Sequence, residues 1–191
     1  MMVLEGCNQS TEDNLKEDSI FIHDEAESVN GNIDIFDFSF INRAPKATEK
    51  HNLDEVIKFY FNTNLPLSTV IAIDVGNNEI YKEPRYSALG VDTFEEPIVF
   101  DDKATLVNIL GKYNIQDWKE DYTTEDPATF DDGAGWKLLL QFEDGSTEAH
   151  GGEGTTDKIF PKEFDAFVEE IDQLAKEILG EDYKKDFNSE P

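Results

Sequence analysis

Phe164, Phe167, Val168, Ile171, Leu174, Ala175 and Ile178 recur in steps of 3, 1, 3, 3, 1 and 3 near the C-terminal end of this chain. That period places all of them on one stripe of an α-helix and leaves Glu163, Asp165, Glu169, Glu170, Asp172 and Glu177 on the opposite side. A helix with one apolar stripe gains little stability alone and needs a sheet or a second helix to cover that stripe. Pro161 suits the first helical position, and Gly180 is placed to end the helix.

The covering layer is predicted from alternation. Trp136, Leu138, Leu140 and Phe142 alternate with Lys137, Leu139 and Gln141, and Glu143-Asp144-Gly145-Ser146 would turn this strand into a second one running to about His150. Thr69–Val75 is β-branched and apolar, Gly76-Asn77-Asn78 tolerates a tight turn, and Glu79–Arg85 returns. Val56–Phe61 is a further strand, with a short helical start at Leu53–Ile57 as its alternative. Ile33 to Phe40 alternates with one slip in phase, which predicts a bulged strand. Asp101-Asp102 precedes Ala104, Leu106, Val107, Ile109 and Leu110, the pattern of an N-capped amphipathic helix ending near Gly111. The expectation is an α+β fold: a mainly antiparallel sheet with two amphipathic helices packed on it. The predicted organisation is an acidic flexible tail over 1–30, one domain over 31–180 and a C-terminal tail over 181–191.

Charge limits function more than fold. The 191 residues carry 43 Asp and Glu against 16 Lys and Arg, a formal net charge of −27. Direct binding to nucleic acid or to an anionic membrane surface is disfavoured, because phosphate contacts need clustered cations. The excess is uneven: residues 92–132 hold twelve acids against three lysines, and residues 161–191 hold ten against four, while 31–91 is nearly balanced at eight against six. Fourteen Phe, six Tyr and two Trp supply more large apolar groups than a wholly unpacked chain carries.

Chemistry-bearing patterns are sparse. The single cysteine, Cys7, excludes an internal disulfide and a cysteine-based zinc site. Leu4-Glu5-Gly6-Cys7 has the outline of a lipoprotein processing site, without a basic or apolar stretch before it. Cytoplasmic location is therefore expected, with no membrane association unless Cys7 is lipidated. His23, His51 and His150 read as isolated surface histidines. Gly151-Gly152-Glu153-Gly154 lacks the Lys-Ser/Thr of a phosphate loop, and a flexible connection is expected there. Neither Asp131-Asp132-Gly133 nor Asp74–Asn78 extends to a calcium loop. No catalytic residue, cofactor or metal site is predicted.

From Trp118 to Leu174 the chain resembles a module of uncharacterised bacterial proteins, often lipoproteins. The resemblance rests on Trp118, Asp132-Gly133, Trp136-Lys137-Leu138, Glu143-Asp144-Gly145, Gly151-Gly152, Phe160-Pro161, Phe164 and Phe167. It implies a hairpin followed by a helix and carries no activity.

A compact chain of this length spans roughly 40 Å. Duplex DNA holds about 24 phosphates over that distance. The protein's charge is thus of duplex magnitude, which predicts a non-enzymatic inhibitor presenting carboxylates to a basic nucleic-acid-binding protein. Inhibitors of CRISPR or restriction nucleases and immunity proteins against nuclease toxins are of this kind. The expected contact residues are Asp117, Glu120, Asp121, Glu125, Asp126, Asp131 and Asp132 in the middle block, with Glu163, Glu169, Glu170, Asp172 and Glu177 on the last helix. The alternative is a protein- or ligand-binding module, including one of a bacterial surface lipoprotein. An apolar pocket rimmed by Tyr60, Tyr81 or Tyr86 would favour that alternative.

Overall fold

The computed structural model describes residues 33–126, 129, 133–181 and 183. The expected tail over 1–30, Asp131, Asp132 and most of 181–191 lie outside the described residues. The elements are β1 (Val56–Thr63), β2 (Thr69–Asp74), β3 (Glu79–Lys82), β4 (Arg85–Tyr86), β5 (Val91–Asp92), β6 (Ile98–Val99), α1 (Lys103–Lys112), β7 (Ala134–Phe142), β8 (Thr147–Gly154) and α2 (Phe164–Leu179). Six strands form one antiparallel sheet in the order β6-β3-β2-β1-β7-β8, and β4 pairs with β5 separately. The fold is the expected α+β class.

Register sorts the strand residues onto two faces. Phe59 lies opposite Ile73 and Leu140, and Phe61 lies opposite Ile71 and Leu138, so all six point to one side. The two helices cover that side. Phe167 of α2 meets Phe61 edge-on at 5.2 Å, and Leu106, Ile109 and Leu110 of α1 join the same core. Asp102 caps α1 by accepting from the Thr105 amide at 3.1 Å. The other face is only partly covered, by Phe38, Ile41 and Val91 over Tyr60, Ala72 and Leu139.

Three local expectations are corrected. Residues 33–43 form turns and a 3-10 helix (Phe38–Arg43) instead of a bulged strand. Asp34 accepts from the Phe36 amide at 3.0 Å and Asp37 from the Ser39 amide at 2.8 Å, so side chains take donors that a ladder would have used. Gly151 to Gly154 belong to β8 and are not a loop. Pro161 precedes α2 by a turn rather than opening it, because Glu163 adopts a left-handed conformation at φ 65°. Gly180, at φ 91°, ends α2 as expected.

Candidate acidic interface

Helix α2 presents Asp165, Glu169, Gln173 and Glu177 at intervals of four residues along one exposed edge. Successive positions rise by about 6 Å along the axis. Among the described residues, no cation forms an ion pair with Asp165, Glu169 or Glu177. Glu177 accepts from Gln173 Nε2 at 2.9 Å, and Glu163 has Lys162 at 3.7 Å.

The expected interface is narrower than the sequence implied. Asp172 is a correction: it is 3% exposed, accepts from Tyr183 Oη at 2.7 Å and pairs with Lys176 at 2.9 Å. The stripe pattern assigned it to the polar face, but the chain after Gly180 brings Tyr183 over that position. Glu170 leans toward α1, where Lys112 and Tyr113 Oη bind it. The Lys112 ammonium holds the Glu170 carboxyl below the usual carboxylate range. In the middle block, Asp117 pairs with Lys50 at 2.8 Å and Glu120 with Lys46 at 2.6 Å. The balanced 31–91 segment thus neutralises part of the acidic block, which linear charge counting could not show.

The rest of the block runs along the outer edge of β8. The Tyr122 amide donates to Gly151 O at 2.8 Å, and the Gly151 amide donates to Glu120 O at 3.0 Å. Asp121 accepts from the Thr123 side chain and amide, and these bonds lower its pKa. Glu125 accepts from Thr155 Oγ1 at 3.0 and 2.8 Å, one oxygen each. Asp126 accepts through its carbonyl from the Thr129 amide at 2.8 Å. From Thr155 the chain passes to Asp157, which shares a groove with Glu163 and Asp165. A run of acids therefore leads from Glu125 past Asp157 onto the α2 edge.

Two histidines are not isolated surface residues. His51 stacks on Phe142 with ring centroids 4.4 Å apart. Its Nδ1 faces Glu55 Oε2 at 3.1 Å and its Nε2 faces Ser146 Oγ at 3.2 Å. The order Ser–His–acid is that of a nucleophile relay. Here the Ser146 hydroxyl donates to Asp144 Oδ1 at 2.7 Å, and the same oxygen accepts the Ser146 amide at 2.8 Å. The cluster fastens the β7–β8 turn. His150 is buried between Glu148 Oε1 at 2.8 Å and Lys119 O at 3.0 Å. No group of three or more His, Cys, Asp or Glu able to hold a metal occurs among the described residues, and none of their helices is long and apolar enough to cross a membrane.

The open sheet face bears a cavity of about 510 Å³ whose floor includes Gly135, Lys137, Ala149 and Gly151. Tyr86 stands at its rim, with Lys137 Nζ 4.4 Å from the ring centroid and Tyr60 stacked behind at 5.7 Å. Burial pushes the Tyr60 hydroxyl up to about 12. Comparison with family models, with curated proteins and with solved structures finds no match.

Proposed function

We propose that this protein is a non-enzymatic acidic inhibitor that binds a basic, nucleic-acid-binding protein by offering carboxylates in place of phosphates. The observation that carries the reading is the α2 edge, where Asp165, Glu169 and Glu177 are exposed and form no ion pair with a described cation. A step of about 6 Å sets Asp165 and Glu169 in one row along the helix, as a nucleic-acid strand sets its phosphates in a row. Glu125, Asp157 and Glu163 extend the charge beyond the helix. Long-range attraction then accelerates encounter with a cationic groove. CRISPR nucleases, restriction enzymes and nuclease toxins offer grooves of this kind.

The test is inhibition of a panel of basic nucleases, with duplex DNA as competitor. Binding should weaken steeply between ~50 and ~200 mM salt and should be lost as duplex is added. Association that ignores both salt and duplex would sink the proposal. The Tyr86–Lys137 cavity, which Glu120, Asp121 and Glu153 also line and which is therefore polar rather than apolar, supports as a second reading a module for a polar ligand. In that case Tyr86→Ala would abolish binding while the α2 carboxylates could be removed without effect.

A further inference from the structure

We infer that the groove between the β1–β2 loop and the segment leading into α2 is an anchor site for a basic peptide segment carrying an apolar side chain. This rests on the reading that the acidic side engages a basic protein, and it assigns that contact a specific place.

The groove has a volume of about 450 Å³, and a second hollow of about 390 Å³ shares Leu65, Asp157 and Phe160 with it. Leu65 and Pro66 form one wall, and Phe160, Pro161 and Phe164 form the other. Phe160 stacks on the buried Phe164 with centroids 4.8 Å apart, so the half-buried Phe160 ring is the exposed part of a wall continuous with the core. Leu65 is 48% exposed at the end of β1, although the loop backbone is tied down by Thr63, whose Oγ1 accepts the Leu65 amide at 3.2 Å. A half-exposed leucine beside the partly exposed Phe160, with Leu67 also 41% exposed in the same loop, is an uncovered apolar contact.

Charge selects the occupant. Asp157, Glu163 and Asp165 line the groove, and among the described residues no cation does. The N-terminus of α2 brings about half a positive charge to the same end. Three carboxylates outweigh it, even with Lys162 offsetting part of Glu163. A second copy of this chain, at −27, would be repelled, and so would an acidic or phosphorylated peptide. An apolar side chain flanked by arginine or lysine matches both the walls and the rim. Asp165 also begins the α2 edge, so a segment anchored here continues onto Glu169, and the Lys176 ammonium farther along the helix is taken up by Asp172.

The experiment uses the full chain and two labelled synthetic peptides, read by fluorescence anisotropy at ~50 mM salt. One peptide carries a leucine–phenylalanine pair between flanking arginine pairs; the other has two serines in place of the apolar pair. The apolar-centred peptide is expected to bind about tenfold more tightly, the advantage of burying part of one apolar side chain. Leu65→Ser should bring the two affinities together by weakening the apolar-centred peptide alone. Asp157→Asn with Asp165→Asn should weaken both. Amide shifts in the parent chain should centre on Leu65, Phe160 and Phe164 with the apolar-centred peptide, an answer that needs no substitution. Equal affinity for both peptides overturns the anchor site and leaves the acidic reading standing. A preference that survives Leu65→Ser, with shifts elsewhere, places the anchor off this groove and overturns it. Failure of both peptides to bind overturns the site together with the reading beneath it.

Discussion

Tyr183 Oη donates to Asp172 Oδ1 at 2.7 Å across the end of α2, and each residue is only 3% exposed. Burial, reinforced by the Asp172 bond, raises the tyrosine pKa far above its ordinary value, so the phenol stays a donor throughout the working pH range. A hydrogen bond to a charged group is worth about 1.5–3 kcal/mol. Tyr183→Phe should therefore cost about 2 kcal/mol in urea denaturation and lower Tm by roughly 4–8 °C. Glu169→Gln, one helical turn away and exposed, should change stability by less than about 0.5 kcal/mol. Equal effects of the two substitutions would show that Asp172 is not held in this way.

Gly152 is fixed by crowding rather than by turn geometry. A Cβ there would stand 2.6 Å from Ile159 O and 2.8 Å from Trp136 Nε1, on the path of the bond that Trp136 Nε1 donates to Ile159 O at 2.7 Å. Gly152→Ala must displace the segment before α2 or break that buried bond, at a cost of about 2–4 kcal/mol. Gly135→Ala, on the neighbouring strand, meets only Glu153 Cγ at 3.7 Å and should cost under about 1 kcal/mol. Thermal melts of the two variants check the contrast.

These residues also mark what was legible in the sequence. Strand β7 and helix α2 were readable because each repeats one period over seven or more residues, and the turn because Asp144-Gly145 follows an alternating run. Residues 33–43 misled because Phe36, Phe38 and Phe40 imitate alternation, while Asp34 and Asp37 redirect the backbone into turns. Gly151 to Gly154 read as a loop because glycine disfavours strands, and only the packed indole and Ile159 reveal why a side chain is excluded at Gly152. At the interface, the charge total and the α2 edge were visible in the sequence. Which acids meet Lys46, Lys50 or Lys112 depends on pairs 58 to 74 positions apart, and nothing local encodes those.

The Asp144 carboxyl provides a pH test. It lies below the ordinary value of 3.8, first because of the hydrogen bonds from the Ser146 side chain and amide, with His51 adding attraction. A depressed folded-state pKa stabilises the fold above the unfolded value, and this contribution is lost as pH falls through the lower folded value. Asp144→Ala should therefore be less stable than the parent at pH 7, and the gap should narrow as pH falls below about 4. A gap that stays constant from pH 7 to pH 2.5 would assign the loss to turn shape alone.

The α2 edge and the lysine-paired acids differ in how much charge they leave for a partner. Asp165→Asn, Glu169→Gln and Glu177→Gln remove three carboxylates with no described ion pair. Each one that replaces a phosphate in a basic groove should contribute about one unit to the slope of log affinity against log salt. The triple variant should therefore bind a cationic nuclease at least tenfold more weakly at ~50 mM salt, with a shallower slope by up to about three. Asp117→Asn with Glu120→Gln removes two carboxylates against three, yet frees Lys50 and Lys46 at the same time. An exposed pair is worth only about 0–1 kcal/mol, so this variant should fold normally. Because long-range attraction follows net charge while docking follows local carboxylates, it should slow association slightly and leave dissociation unchanged. The triple variant should speed dissociation. Stopped-flow traces that respond alike to both sets would mean that net charge alone, and not the α2 edge, governs binding.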